Sequence, residues 1–153
     1  MRISLAVVGK PRDRTLAAAI REYETRAARY WPFEVHEVKD EGARAASPED
    51  VMRREGERLE SRVGSARMIV CDVDGERMSS EAFSAWLQRA RESAHDVSFV
   101  IGGAFGIAPS LRERAASRLS LASWTLPHDL ARLVLVEQVY RAGTIVRGEP
   151  YHK

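Results

Sequence analysis

Short β-rich runs alternate with longer amphipathic stretches along the whole chain, and this alternation restricts the fold more than any other feature of the sequence. Ile3 to Val8 ends at Gly9 and reads as a first buried strand. Its apolar stretch is too short for a signal peptide, and Gly9-Lys10-Pro11 is unlike a small-residue cleavage site. Asp13 is placed to cap a helix that carries Leu16, Ile20, Tyr23, Ala27 and Tyr30 at helical spacing, with Pro32 expected to stop it. Phe33 to Val38 alternates apolar and polar residues, the period of a half-buried strand, and a charged loop with Gly42 follows over 39–47.

Ser47-Pro48-Glu49-Asp50 combines a capping serine, a first-turn proline and acids near the positive helix end, so a helix is predicted to about Val63, ended by Gly64. Arg67 to Val73 is a third strand, with Asp74-Gly75 as a turn. Ser79 and Ser80 precede a helix with Phe83, Trp86, Leu87 and Ala90 on one face. Val97 to Ile101 is a fourth strand, Pro109 opens a short helix through about Ser117, and Leu119 to Leu121 is a short fifth strand.

The last helix, from near Pro127 to about Arg147, is apolar almost all round: Leu130, Leu133, Val134, Leu135, Val136, Val139, Tyr140, Ile145 and Val146. Such a helix is buried on more than one side. In a chain of 153 residues one side is expected to face the sheet and another a second subunit, so a homodimer is predicted. Strands that alternate with helices imply a single α/β domain over 1–153, with a mostly parallel sheet and helices on both faces. Ligands then bind at the carboxyl ends of the strands, which directs attention to the loops after Val73, Ile101 and Leu121.

Composition narrows the setting. One cysteine, Cys71, excludes an internal disulfide and suggests no metal cage, so a reducing cytoplasm is expected. No membrane span is expected either. A net charge of +2 does not by itself announce a nucleic-acid binder. Of the 24 basic residues only Lys10, Lys39 and Lys153 are lysines, so the positive surface is mostly guanidinium, which suits phosphate and base stacking.

Four segments can carry chemistry, and each also has a purely structural reading. Ile101-Gly-Gly-Ala-Phe-Gly106 is a strand, a glycine loop and a helix start: a tight turn, or a backbone cradle for a ligand. Its G-G-x-x-G spacing departs from the dinucleotide fingerprint, no acid follows on a second strand, and a P-loop lysine is absent. Leu121-Ala-Ser-Trp-Thr-Leu-Pro-His128 is apolar and extended: a packing segment, or free backbone groups for an adenine edge. Glu137 and Arg141 are spaced for an ion pair, while the arginine could instead hold a phosphate or an oxyanion. The tail Pro150-Tyr151-His152 is idle, or brings a stacking ring and a titratable imidazole to a site. His36 and His95 receive no role.

The order of these segments resembles the RlmH-type methyltransferases of the SPOUT class: Asp72 and Gly75 on a strand, then I-G-G-A-x-G, L-x-S-x-T-L-P-H, V-E-Q-x-Y-R-A and a terminal P-Y-H-K. The resemblance covers the chain from the opening V-G-K and the E-Y-x-x-R of the first helix onward. It implies a SPOUT fold with a C-terminal trefoil knot, a homodimer, the cofactor S-adenosylmethionine, and no metal. The implied substrate is N3 of pseudouridine 1915 in helix 69 of 23S rRNA, met in the assembled 70S ribosome. By position, the cofactor residues are Cys71, Gly102 and the run Leu121, Ala122, Ser123, Trp124, Thr125 and Leu126. Cys71 replaces an expected leucine and should pack as a small hydrophobe. His128 and Arg141 fall on substrate positions, and Arg141, Tyr151 and His152 on catalytic ones. The tail is expected to complete a site, in its own or the neighbouring subunit, and Arg12, Arg14 and Arg21 are candidates for rRNA contact. A nucleotide-dependent enzyme using the 101–106 loop and a non-catalytic ribosome-binding factor are the alternatives.

Overall fold

The structure is a computed structural model that describes residues 1–42 and 47–152, apart from the side chain of His152. Its strands are β1 (Ile3–Val8), β2 (Phe33–Val38), β3 (Arg67–Arg77), β4 (Val97–Ile101) and β5 (Ser117–Ser120). Between and after them run α1 (Arg14–Ala27), α2 (Pro48–Val63), α3 (Ser80–Glu92), α4 (Pro109–Arg114) and α5 (His128–Val146), closed by a 3-10 turn at Pro150–His152. The strands form one sheet in the order β2-β1-β4-β3-β5, and every neighbouring pair is parallel.

Local chemistry places the helix starts. The Asp13 side chain accepts from the Leu16 N–H at 2.8 Å, Ser47 from that of Asp50 at 3.2 Å, and Ser79 from that of Ala82 at 3.1 Å. Each satisfies one of the orphan donors of a first helical turn. Gly64 ends α2 at φ 59°, where a side chain would be strained. Part of the expected charged loop, 43–46, lies outside the described residues.

Side-chain alternation along β1 divides the interior in two. Ile3, Leu5 and Val7 face one core with Phe99 and Leu87, beneath α1, α3 and α5. Ala6 and Val8 face the other with Leu59 and Leu111, beneath α2 and α4. Helix α5 lies between α1 and α3. Trp31 Nε1 donates to the Val139 carbonyl at 3.0 Å and Ser84 Oγ to that of Ala142 at 3.0 Å, fixing α5 from both sides.

Three boundaries differ from those read in the sequence. Asp74-Gly75 is not a turn: β3 continues to Arg77 across an irregularity in which Cys71 and then Glu76 face Leu119. A Cβ at Gly75 would lie 2.6 Å from the Leu119 backbone, so glycine permits two strands to touch there. Helix α4 stops at Arg114 and β5 spans Ser117–Ser120, because Ala115 is already extended. Helix α1 ends at Ala27, before Pro32, in a short turn through Tyr30.

On α5, Leu135, Val136 and Val139 are buried, whereas Val134, Gln138, Arg141 and Ile145 are half-buried and Leu130 is exposed. One chain therefore covers only part of this helix. Among the described residues, no helix is long and apolar enough to cross a membrane.

Candidate functional site

The middle of β3 and the carboxyl ends of β4 and β5 border one cleft of about 570 Å³. That size and position are those of small-molecule sites in open parallel sheets. Cys71, Asp72 and Val73 enter it from β3, and Gly102, Gly103 and Ala104 from the loop after β4. Leu121, Ala122, Trp124, Thr125 and Leu126 close it from the segment after β5. Pro127, His128 and Ala131 bring in the start of α5, and Arg112 the second turn of α4.

The glycine loop is a tight hairpin. The Gly106 N–H donates to the Gly103 carbonyl at 3.0 Å, and Gly106 has φ 85°. A Cβ on Gly102 would lie 2.6 Å from the Gly106 carbonyl oxygen, and one on Gly103 would lie 2.5 Å from Glu55 Oε2. The loop thus presents bare backbone to the cleft. Desolvation, aided by Asp72, pushes the Cys71 thiol up to about 12, so it lines the wall as a neutral hydrophobe. The Asp72 side chain is only 2% exposed; one oxygen accepts the Asp74 N–H at 3.2 Å, and the other lies 3.0 Å from Arg112 Nε.

All but one of the cofactor positions inferred from the sequence meet here. Gly102 and Leu126, far apart in the chain, share the cleft. Ser123 is the exception: it is not on the wall and faces solvent. His128 stands on the wall with Nε2 3.4 Å from Asp129 Oδ1. In the sequence Asp72 enters only as part of the family pattern, with no role, and Arg112 is not singled out, since it sits on a helix whose local pattern carries no signal of function.

Arg141 and Tyr151 are elsewhere. About 20 Å of α5 separates Arg141 from His128. Arg141 Nη2 donates to Glu137 Oε1 at 2.6 Å, which confirms the expected ion pair. The Tyr151 hydroxyl donates to the same oxygen at 3.1 Å and lies 3.3 Å from the Tyr23 hydroxyl. The Arg141 guanidinium stands 4.8 Å from the centroid of the Tyr151 ring, which also packs edge-on to Tyr140. Burial, the Tyr23 hydroxyl and Glu137 all push the Tyr151 phenol above its ordinary range. The expectation for the His152 side chain falls outside the described residues. Of the arginines considered for rRNA, Arg12 pairs with Asp40 at 3.0 Å, and Arg14 and Arg21 are exposed on α1.

A parallel sheet with a cleft bordered by β3 and by the segments after β4 and β5 is the ligand-site geometry of an open α/β protein. The chain belongs to the SPOUT methyltransferases: the family model described as "Predicted SPOUT methyltransferase" matches residues 1–152. It is 58% identical over 154 residues to the ribosomal RNA large subunit methyltransferase H of Gemmatimonas aurantiaca, covering all of both chains. It is 43% identical, again over both full lengths, to the protein of that name from Anaeromyxobacter sp. strain K. Among solved structures, a probable methylase family protein from Haemophilus influenzae Rd KW20 superimposes with a TM-score of 0.61 at 10% identity, covering 99% of this chain and 70% of that one, a likeness of fold.

Proposed function

We propose that this chain is a cytoplasmic rRNA methyltransferase that carries a methyl group from S-adenosylmethionine to N3 of pseudouridine 1915, in helix 69 of 23S rRNA within the assembled 70S ribosome. The full-length likeness to large-subunit rRNA methyltransferases supports the reaction and the substrate class. The cleft suits the donor: Ile101, Ile107, Leu121 and Leu126 give it apolar walls, and two glycines bring backbone within reach of a flat heterocycle. No cluster of three or more metal-ligating side chains occurs among the described residues.

The observation that carries the arrangement is the length of α5 between the cleft and the Arg141–Tyr151 cluster. Within one chain these groups cannot act on one substrate atom. A homodimer packed through the part-covered stripe of α5 would bring Arg141, Tyr151 and His152 of one subunit to the cleft of the other. The partly buried Val134 and Ile145 and the exposed Leu130 support that interface.

S-adenosylmethionine supplies a methyl on a sulfonium sulfur, electrophilic without metal activation. The chain's tasks are to align the acceptor ring and to manage the N3 proton. Loss of that proton spreads negative charge onto the flanking carbonyl oxygens, where the Arg141 guanidinium stabilises it. Accepting the proton and positioning the ring fall to the tail residues Tyr151 and His152. His128, on the cleft wall, contacts the incoming nucleotide.

Purified 70S ribosomes lacking the modification should accept labelled methyl, and free 23S rRNA should accept little. Gly102→Val and Arg141→Ala should each be inactive alone, and mixing them after subunit exchange should restore part of the activity. Failure of every mixture, with both variants folded and dimeric, would refute a site shared between subunits.

A further inference from the structure

Among the described residues that line the cleft, only Asp72 and Arg112 carry full charges at neutral pH; the remaining wall is apolar or neutral apart from His128. The Asp72 Oδ2 atom is sealed from solvent and makes no hydrogen bond. It is balanced by ion pairs, with Arg112 Nε at 3.0 Å and Arg118 Nη1 at 3.8 Å. Two guanidiniums therefore converge on one carboxylate. Arg112 is 43% exposed, and its Nη1 and Nη2 atoms have no protein acceptor among the described residues. Its guanidinium is ion-paired through Nε and open at the other two nitrogens.

This inference rests on the methyl-donor reading above. S-adenosylmethionine carries one anionic group, the α-carboxylate of its amino-acid tail; the rest is neutral or cationic. A guanidinium paired at one nitrogen, on the rim of a cleft whose remaining wall is apolar or neutral, matches a carboxylate in geometry and charge. We infer that Arg112 binds the α-carboxylate of the donor's tail and that Asp72 is the positioning residue that holds Arg112. The tail then lies toward α4, with the adenosine against the 121–126 segment. The pair selects a nucleoside that bears an amino acid over one that lacks it.

Calorimetric titration of the intact protein with S-adenosylhomocysteine and with 5′-methylthioadenosine, which lacks the amino-acid tail, reads this contact directly. The wild type should bind S-adenosylhomocysteine the more tightly. Arg112→Gln should weaken that binding by about tenfold, the scale of one charge-assisted contact, and change methylthioadenosine binding by less than about twofold. Arg112→Lys should recover part of the loss. Equal weakening of both ligands would assign Arg112 a structural role and overturn the inference, as would undiminished S-adenosylhomocysteine binding. A wild-type protein that binds neither ligand overturns the methyl-donor reading itself, and this contact with it.

Discussion

The Tyr151 hydroxyl donates a hydrogen bond of 3.1 Å to Glu137 Oε1, tying the last turn of the chain to the middle of α5. The phenol is pushed above its ordinary value of 10.0, first by burial and then by the Tyr23 hydroxyl and Glu137. A raised folded-state value means that docking favours the neutral phenol. Its contribution is fully present below pH 10 and is lost as pH rises through the higher folded value. Ultraviolet titration should show two tyrosines, Tyr30 and Tyr151, ionising late in the wild type and only one in Tyr151→Phe. An ordinary titration of all tyrosines would mean that the tail is undocked.

Gly143 marks the closest approach of α5 to the turn after α1, since a Cβ there would overlap the Tyr30 side chain. Gly143→Ala should cost about 1–3 kcal/mol through overpacking, despite alanine's better helix propensity. At about 2–4 °C per kcal/mol for a chain of this size, thermal melting should register it plainly. An unchanged Tm would show that α1 and α5 are not this close.

Arg132 is a buried cation with two acidic partners, Glu24 Oε1 at 2.7 Å and Glu37 Oε1 at 2.8 Å. It joins α5 to α1 and to β2 at once. Arg132→Leu strands both carboxylates and should destabilise by about 3 kcal/mol, the low end for a broken buried pair because both acids reach water. Urea denaturation should give a lower midpoint at an unchanged slope. A midpoint within error of the wild type would mean that the network contributes nothing.

Cys71 should be a poor nucleophile. With its thiol pushed up to about 12, very little is thiolate at pH 8. Alkylation by iodoacetamide should be slow in the native protein and fast in urea. Native labelling as rapid as that of free cysteine would place the sulfur in solvent instead.

Much of the fold is legible locally. Asp13, Ser47 and Ser79 stand three residues before the N–H groups they accept from, and that spacing is visible in the chain. The boundaries that moved are those set by partners distant in sequence. Asp74-Gly75 has turn composition, yet Gly75 sits against the backbone of Leu119, and strand pairing extends β3 through it. The two segments that share the cleft stand out in the sequence because each is contiguous and glycine-rich or apolar, but only the family resemblance singles out their residues for a cofactor. Arg112 does not stand out, because nothing within its own helix separates a cleft-lining arginine from a solvated one.

The sequence by itself determined the order of strands and helices, the two-faced burial of β1, and which segments present open backbone. These follow from side-chain periodicity, capping and glycine geometry, all of which act within a few residues. Tertiary structure alone decided the strand order β2-β1-β4-β3-β5, the meeting of Gly102 with Leu126, the pairing of Asp72 with Arg112, and the docking of Tyr151 on Glu137 and Tyr23. Those relationships depend on which faces bury together, and local sequence chemistry carries no record of that.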